Sequence, residues 1–87
     1  MRRRVVVHGL VQGVFFRDTV RRHAQSRGVA GWVRNNPDGT VEAVFEGEAE
    51  PVERLVAFVH EGPSGAIVER VDVVVEQETG LAGFSVR

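Results

Sequence analysis

The sequence predicts a single α+β domain over residues 1–87, with two helices on one face of a mostly antiparallel sheet. Three observations carry this expectation. Two separate stretches repeat apolar residues at helical spacing, while valine-rich runs on either side of them read as strands. The four residues Asn36-Pro37-Asp38-Gly39 form a tight-turn signal between the two middle runs, with proline preset at the second position and glycine free at the last. The order β-α-β then occurs twice, and β-α-β-β-α-β with a short fifth strand is the pattern of a ferredoxin-like split βαβ fold.

Each element has its own justification. Val5 to His8 reads as the first strand, ended by Gly9. Phe16, Val20 and Ala24 recur every four residues with Asp18, Arg21, Arg22 and Gln25 on the other face, which predicts a helix from Phe16 to Arg27 stopped by Gly28. Val29 to Asn36 and Thr40 to Glu46 are the two arms of a hairpin. Pro51 suits the first turn of a second helix, in which Val52, Leu55, Val56 and Val59 match the i, i+3, i+4, i+7 pattern. Gly62-Pro63-Ser64-Gly65 marks a loop. Val68 to Glu76 alternates, with Val71, Val73 and Val75 on one face, and Phe84 to Val86 adds the last short strand. Crossovers are almost always right-handed, so both helices are expected on one face, with the second strand returned beside the first.

Composition limits the function. With 87 residues, 43% of them hydrophobic and 26% charged, the chain fits one modest core and not a disordered segment. A net charge of -1 offers no general attraction to nucleic acid or to an anionic membrane. Cysteine is absent, which removes disulfides and thiolate metal sites and suits a cytoplasmic location. The opening Met1-Arg2-Arg3-Arg4 imitates a signal sequence, but His8, Gly9, Gln12 and Gly13 break the apolar run that would follow. All eleven basic residues are arginine, so neither Schiff-base lysine nor P-loop lysine chemistry is available.

The stretch from Gly9 to Arg17 is an unusual way to leave a strand. Gly9 and Gly13 allow a tight turn with backbone N–H groups pointing inward, and the loop opens onto a helix N-terminus, where unpaired N–H groups favour an anion. The combination reads as a phosphate-sized nest. Arg17 in the first helical turn opposes the helix dipole, a conflict that a bound anion would relieve, and its planar fork suits an oxyanion. An ordinary turn followed by a solvated arginine is the alternative. The glycine spacing fits neither the dinucleotide-binding nor the P-loop pattern.

Gly9-Leu10-Val11-Gln12-Gly13-Val14-Phe15-Phe16-Arg17, followed by Gly31-Trp32-Val33-Arg34-Asn35 and Asp38-Gly39-Thr40-Val41-Glu42, closely resembles the two signature blocks of the acylphosphatase family. The closing Phe84-Ser85-Val86-Arg87 resembles that family's last strand. The resemblance implies metal-independent hydrolysis of the carboxyl-phosphate bond of acyl phosphates, giving a carboxylate and inorganic phosphate. It implies that Gly9, Leu10, Val11, Gln12, Gly13, Val14 and Arg17 bind the phosphate, and that Arg17 and Asn35 are catalytic, Asn35 placing the water. No cofactor or metal is expected, and the partners are a small acyl phosphate and inorganic phosphate as product and competitive inhibitor. A monomer with no nucleic-acid or membrane partner is the accompanying expectation. Leu10 stands where the family often has arginine, and a terminal tyrosine found in some members is absent.

Two other readings remain. One is the carbamoyl-phosphate-handling acylphosphatase-like domain that begins larger hydrogenase-maturation proteins, against which the chain's end just after its last strand speaks. The other is a non-catalytic ferredoxin-like binding module, which would want aromatic pairs and a basic sheet face where Val5 to Val7 stand. His8, His23 and His60 show no metal-ligand spacing. Glu46, Glu48, Glu50 and Glu53 read as a solvated edge, Trp32 as a packing residue, Phe16 as core and Phe15 as a loop wall or surface residue.

Overall fold

A computed structural model describes the whole chain, Met1 to Arg87. Its elements are β1 (Arg2–Leu10), α1 (Phe16–Ser26), β2 (Ala30–Asn35), β3 (Val41–Glu46), α2 (Ala49–Glu61), β4 (Ile67–Glu76) and β5 (Phe84–Val86). The sheet order is β4-β1-β3-β2-β5, antiparallel throughout except for the parallel pair β2 and β5. Two helices on an open mixed sheet in this order are the ferredoxin-like α+β fold.

The core lies between the sheet and the helices. Phe16, Val20 and Ala24 of α1 and Val52, Leu55 and Val59 of α2 are buried in one cluster with Val5 and Val7 of β1, Val33 of β2 and Val41, Ala43 and Phe45 of β3. Residues directly opposite across an antiparallel ladder share a face. Every strand residue in that cluster therefore points to the helix side.

β3 separates the first two strands, so the expectation that β2 returns beside β1 is corrected. The crossover through α1 skips one strand width, and β3 fills the gap antiparallel to both neighbours. Register still ties the first two strands together. Val7 and Asn35 both pair with Val41, which places Asn35 level with Val7 and on its helix-facing side, two strands away. Asn36 follows on the opposite side.

Element ends moved where partners, not local pattern, decide them. β1 starts at Arg2 because its arginines are paired on both sides, with Glu46 and Glu76 opposite Arg2. α2 starts at Ala49, which makes Pro51 its third residue. The first four N–H groups of a helix have no intrahelical partner, so proline is tolerated there as well. β4 is an edge strand: Val71 is partly buried against the core, but Val73 and Val75, on the same face, are exposed. Glu69, Arg70, Asp72 and Glu76 interrupt that edge with charge.

The other face of the sheet is polar. Arg2 bridges Glu46 at 3.2 Å and Glu76 at 2.9 Å, Arg4 reaches Glu76 at 2.7 Å and also pairs with Glu42, and Arg34 reaches Glu42 at 3.0 Å. Trp32 is buried beneath the guanidinium groups of Arg4, Arg34 and Arg87, 5.5, 5.0 and 4.5 Å from its ring centre. It packs, as expected. Glu46 does not belong to a solvated edge: it is buried and accepts backbone hydrogen bonds from Thr79, Gly80 and Leu81.

Candidate active site

The loop between β1 and α1 begins where β1 is pressed against β4. A Cβ on Gly9 would sit 2.1 Å from the Ile67 carbonyl oxygen, so only glycine allows this approach. The ladder shifts register between His8 and Gly9, which turns the chain out of the sheet. Val11 then drops into the core, fully buried, and anchors the loop. Gly13 takes φ 75°, in the left-handed region.

The loop's donors are unspent. Of the 13 backbone hydrogen bonds made outside regular helices and strands, none is donated by Val11, Gln12, Gly13, Val14 or Phe15. α1 follows at once, and its N-cap, Phe15, provides no side-chain cap. A run of free N–H groups leading into a helix N-terminus is an anion-binding arrangement.

An open cavity of about 490 Å³ lies beside this loop, lined by Val11, Gly13, Phe15, Phe16, Arg17, Asp18, Asn35 and Val86. Arg17 therefore meets Asn35 across it, although they come from α1 and the end of β2. The contact of Arg17 within the protein is a single long hydrogen bond, 3.4 Å from Nη1 to the Arg87 carbonyl. The nearest carboxylate in sequence is engaged elsewhere: Asp18 bonds Arg21 at 2.6 Å and Arg22 at 3.2 Å. The Arg21 hydrogen bond holds the Asp18 carboxyl below its ordinary range.

Asn35 carries an orphaned atom. Its Oδ1 is buried with no hydrogen-bond partner, and leaving such an acceptor unpaired costs about 1–3 kcal/mol. Asn36 is the opposite case. It donates to the Thr40 hydroxyl at 3.0 Å and to Glu42 at 3.2 Å, and accepts from Arg34 at 3.1 Å. The turn is closed by Asp38, which accepts from the backbone and hydroxyl of Thr40 at 3.0 and 2.7 Å.

The sequence-predicted residues divide. Val11, Gly13, Arg17 and Asn35 come together around the cavity. Gly9 and Leu10 lie on β1 and line a different depression with His8, Asp38, Gly39, Thr40 and Glu69. The Gln12 side chain turns to the hairpin and donates to the Asn36 and Thr40 carbonyls at 2.8 and 2.9 Å, which ties the loop to the turn after β2. Val14 packs against the core. Sequence reasoning missed Val86, whose place in the cavity depends on β5 docking parallel to β2, and Asp18, which had only its adjacency to Arg17 as a signal.

The histidines are engaged separately. His8 lies 2.9 Å from Asp72, His23 stacks on Phe58 with centres 4.2 Å apart, and the His60 ring nitrogen meets the Val56 carbonyl at 2.8 Å.

A family model described as Acylphosphatase matches residues 3–86. An acylphosphatase of Rubrobacter xylanophilus is 61% identical over 85 residues, covering 97% of this chain and 77% of that relative. The crystal structure of an acylphosphatase from Bacillus subtilis is similar with a TM-score of 0.93 at 36% identity, covering 99% of this chain and 97% of the other. A crystal structure of full-length HypF in a phosphate- and nucleotide-bound form is similar at a TM-score of 0.90 and 29% identity, covering 99% of this chain and 11% of that one.

Proposed function

The chain belongs to the acylphosphatase family and is an enzyme of acyl phosphate hydrolysis, and on that premise we propose that the β1–α1 loop and Arg17 hold the phosphate while Asn35 directs the attacking water. The observation that carries this reading is the convergence of Arg17, Gly13 and Asn35 on one cavity beside a loop whose N–H groups have no internal partner.

The chemistry asks little of the protein. An acyl phosphate has a good leaving group, a carboxylate, so no acid need protonate it and no covalent intermediate is required. The oxygen of water forms a bond to phosphorus as the bond from phosphorus to the carboxylate oxygen breaks, and the water's proton passes to the phosphate. What remains is to neutralise the phosphoryl oxygens and to hold the water in line. Arg17 and the loop amides supply the first. The amide of Asn35 does not titrate near neutral pH and is no general base, but its oxygen accepts a hydrogen bond from water and so sets its direction. The unpartnered Oδ1 supports that role.

The reading extends to a single domain that works as a cytoplasmic monomer without metal or cofactor. The sheet's polar face, where Arg2, Arg4 and Arg34 are matched to Glu42, Glu46 and Glu76, offers little to an RNA backbone. Benzoyl phosphate tests the function directly, because its ultraviolet absorbance reports hydrolysis. Turnover is expected with EDTA present, and millimolar inorganic phosphate is expected to inhibit competitively and to raise the melting temperature through linkage. Activity lost to EDTA and restored by a divalent ion would refute metal independence.

A further inference from the structure

The phosphate site leaves the acyl half of the substrate unread, and one side chain beside it has no structural explanation. Phe15 has φ 58° and is the sole non-glycine residue with positive φ. A bulky residue adopts that conformation at a cost, whereas glycine or asparagine takes it readily. Phe15 is also the N-cap of α1, where serine, aspartate or asparagine would cap the helix and phenylalanine does not. Burial does not compensate: Phe15 is 83% exposed, while its neighbour Phe16 is 2% exposed in the core. Local rules broken at one position without a packing gain point to function.

The ring lines the same cavity as Arg17 and Asn35, together with Val11 and Val86. At about 490 Å³ that cavity is in the range of pockets that take a small organic ligand, far beyond the needs of a bare phosphate. With the phosphate on the loop amides, the space left over is bounded by apolar side chains, of which Phe15 is the largest exposed one. We propose that Phe15 is a specificity-determining residue: its ring packs on the acyl group and favours acyl phosphates with an aromatic acyl group over acetyl phosphate. The inference rests on the placement of the phosphate proposed above.

The test compares kcat/KM for benzoyl phosphate and acetyl phosphate in the wild type, Phe15→Asn and Phe15→Tyr, together with the inhibition constant of inorganic phosphate. Asparagine suits the backbone conformation, so Phe15→Asn is expected to melt no lower than the wild type. It is expected to lower the benzoyl-to-acetyl ratio about tenfold, the scale of one lost aromatic contact, with phosphate inhibition unchanged. Phe15→Tyr keeps the ring and is expected to keep the ratio. A ratio in Phe15→Asn within twofold of the wild type overturns the acyl contact and leaves the phosphate site standing. Equal losses on both substrates with weakened phosphate inhibition overturn it too, since the residue would then shape the loop. Failure of the underlying site is read separately, from an Arg17→Ala variant that keeps its turnover.

Discussion

Two runs of backbone N–H groups in this molecule end differently. After β4, Thr79, Gly80 and Leu81 donate to the Glu46 carboxylate at 3.0, 2.8 and 2.8 Å, and Arg2 adds a guanidinium bond at 3.2 Å. These bonds, the Thr79 amide foremost, hold the Glu46 carboxyl down at about 2. Between β1 and α1, the amides from Val11 to Phe15 donate to no backbone carbonyl, and Arg17 beside them has only the Arg87 carbonyl at 3.4 Å. Both places combine consecutive amides with one arginine, a donor set suited to an oxyanion. One is filled by the protein's own carboxylate and locks the segment after β4 onto β3; the other is open, as the proposed phosphate site requires. The same local chemistry thus stabilises the fold in one place and is available for binding in the other.

Arg17→Ala is the sharpest way to break that contrast. If the open set serves a ligand, turnover falls on the order of 10² to 10³ or more, while the melting temperature stays near that of the wild type because one long hydrogen bond is lost. Arg17→Lys is expected to fail as well, since a point charge does not reproduce the bidentate fork. Near-normal turnover in either variant would end the comparison.

Asn35 and Asn36 sharpen it next. Asn35→Ala is expected to cut turnover on the order of 10² while inorganic phosphate still binds, and to leave stability unchanged or slightly improved because a buried unpaired oxygen is removed. Asn36→Ala removes bonds to Thr40, Glu42 and Arg34, so it is expected to cost about 1–2 kcal/mol with turnover little changed. Kinetics, phosphate affinity and thermal melts of both variants check this. An inactive Asn36→Ala beside an active Asn35→Ala would put the water on the wrong side of β2.

The smallest expected effect on turnover belongs to the filled set. Glu46 is lowered from 4.5 to about 2 in the folded protein, so its contribution is complete above about 4.5 and is lost as pH falls toward 2. Glu46→Gln is expected to melt lower than the wild type at neutral pH, with the difference narrowing as the pH is taken down through that window. Its turnover is expected to match the wild type. A gap in melting temperature that stays constant down to about pH 3 would refute the internal anion site.

Much of the fold was legible in the chain because its signals are local. The spacing of Phe16, Val20 and Ala24, the pattern of Val52, Leu55 and Val59, and the turn chemistry of Asn36 to Gly39 each depend on residues within a turn or two of one another. The free loop amides and Arg17 at the start of α1 were also readable, since glycine placement and helix entry are local. By itself the sequence therefore determined the helices, the hairpin, the family and the residues worth suspecting. Tertiary structure alone decided the rest. β3 inserts between β1 and β2, and its shared pairing with Val7 and Asn35 aligns Asn35 with the loop. β5 docks against β2 and brings Val86 to the cavity, and Glu46, which the local sequence places in a solvated run, is buried by the amides after β4. Those facts depend on which strand lies beside which, and strand pairing joins residues far apart in sequence, where no local pattern records it.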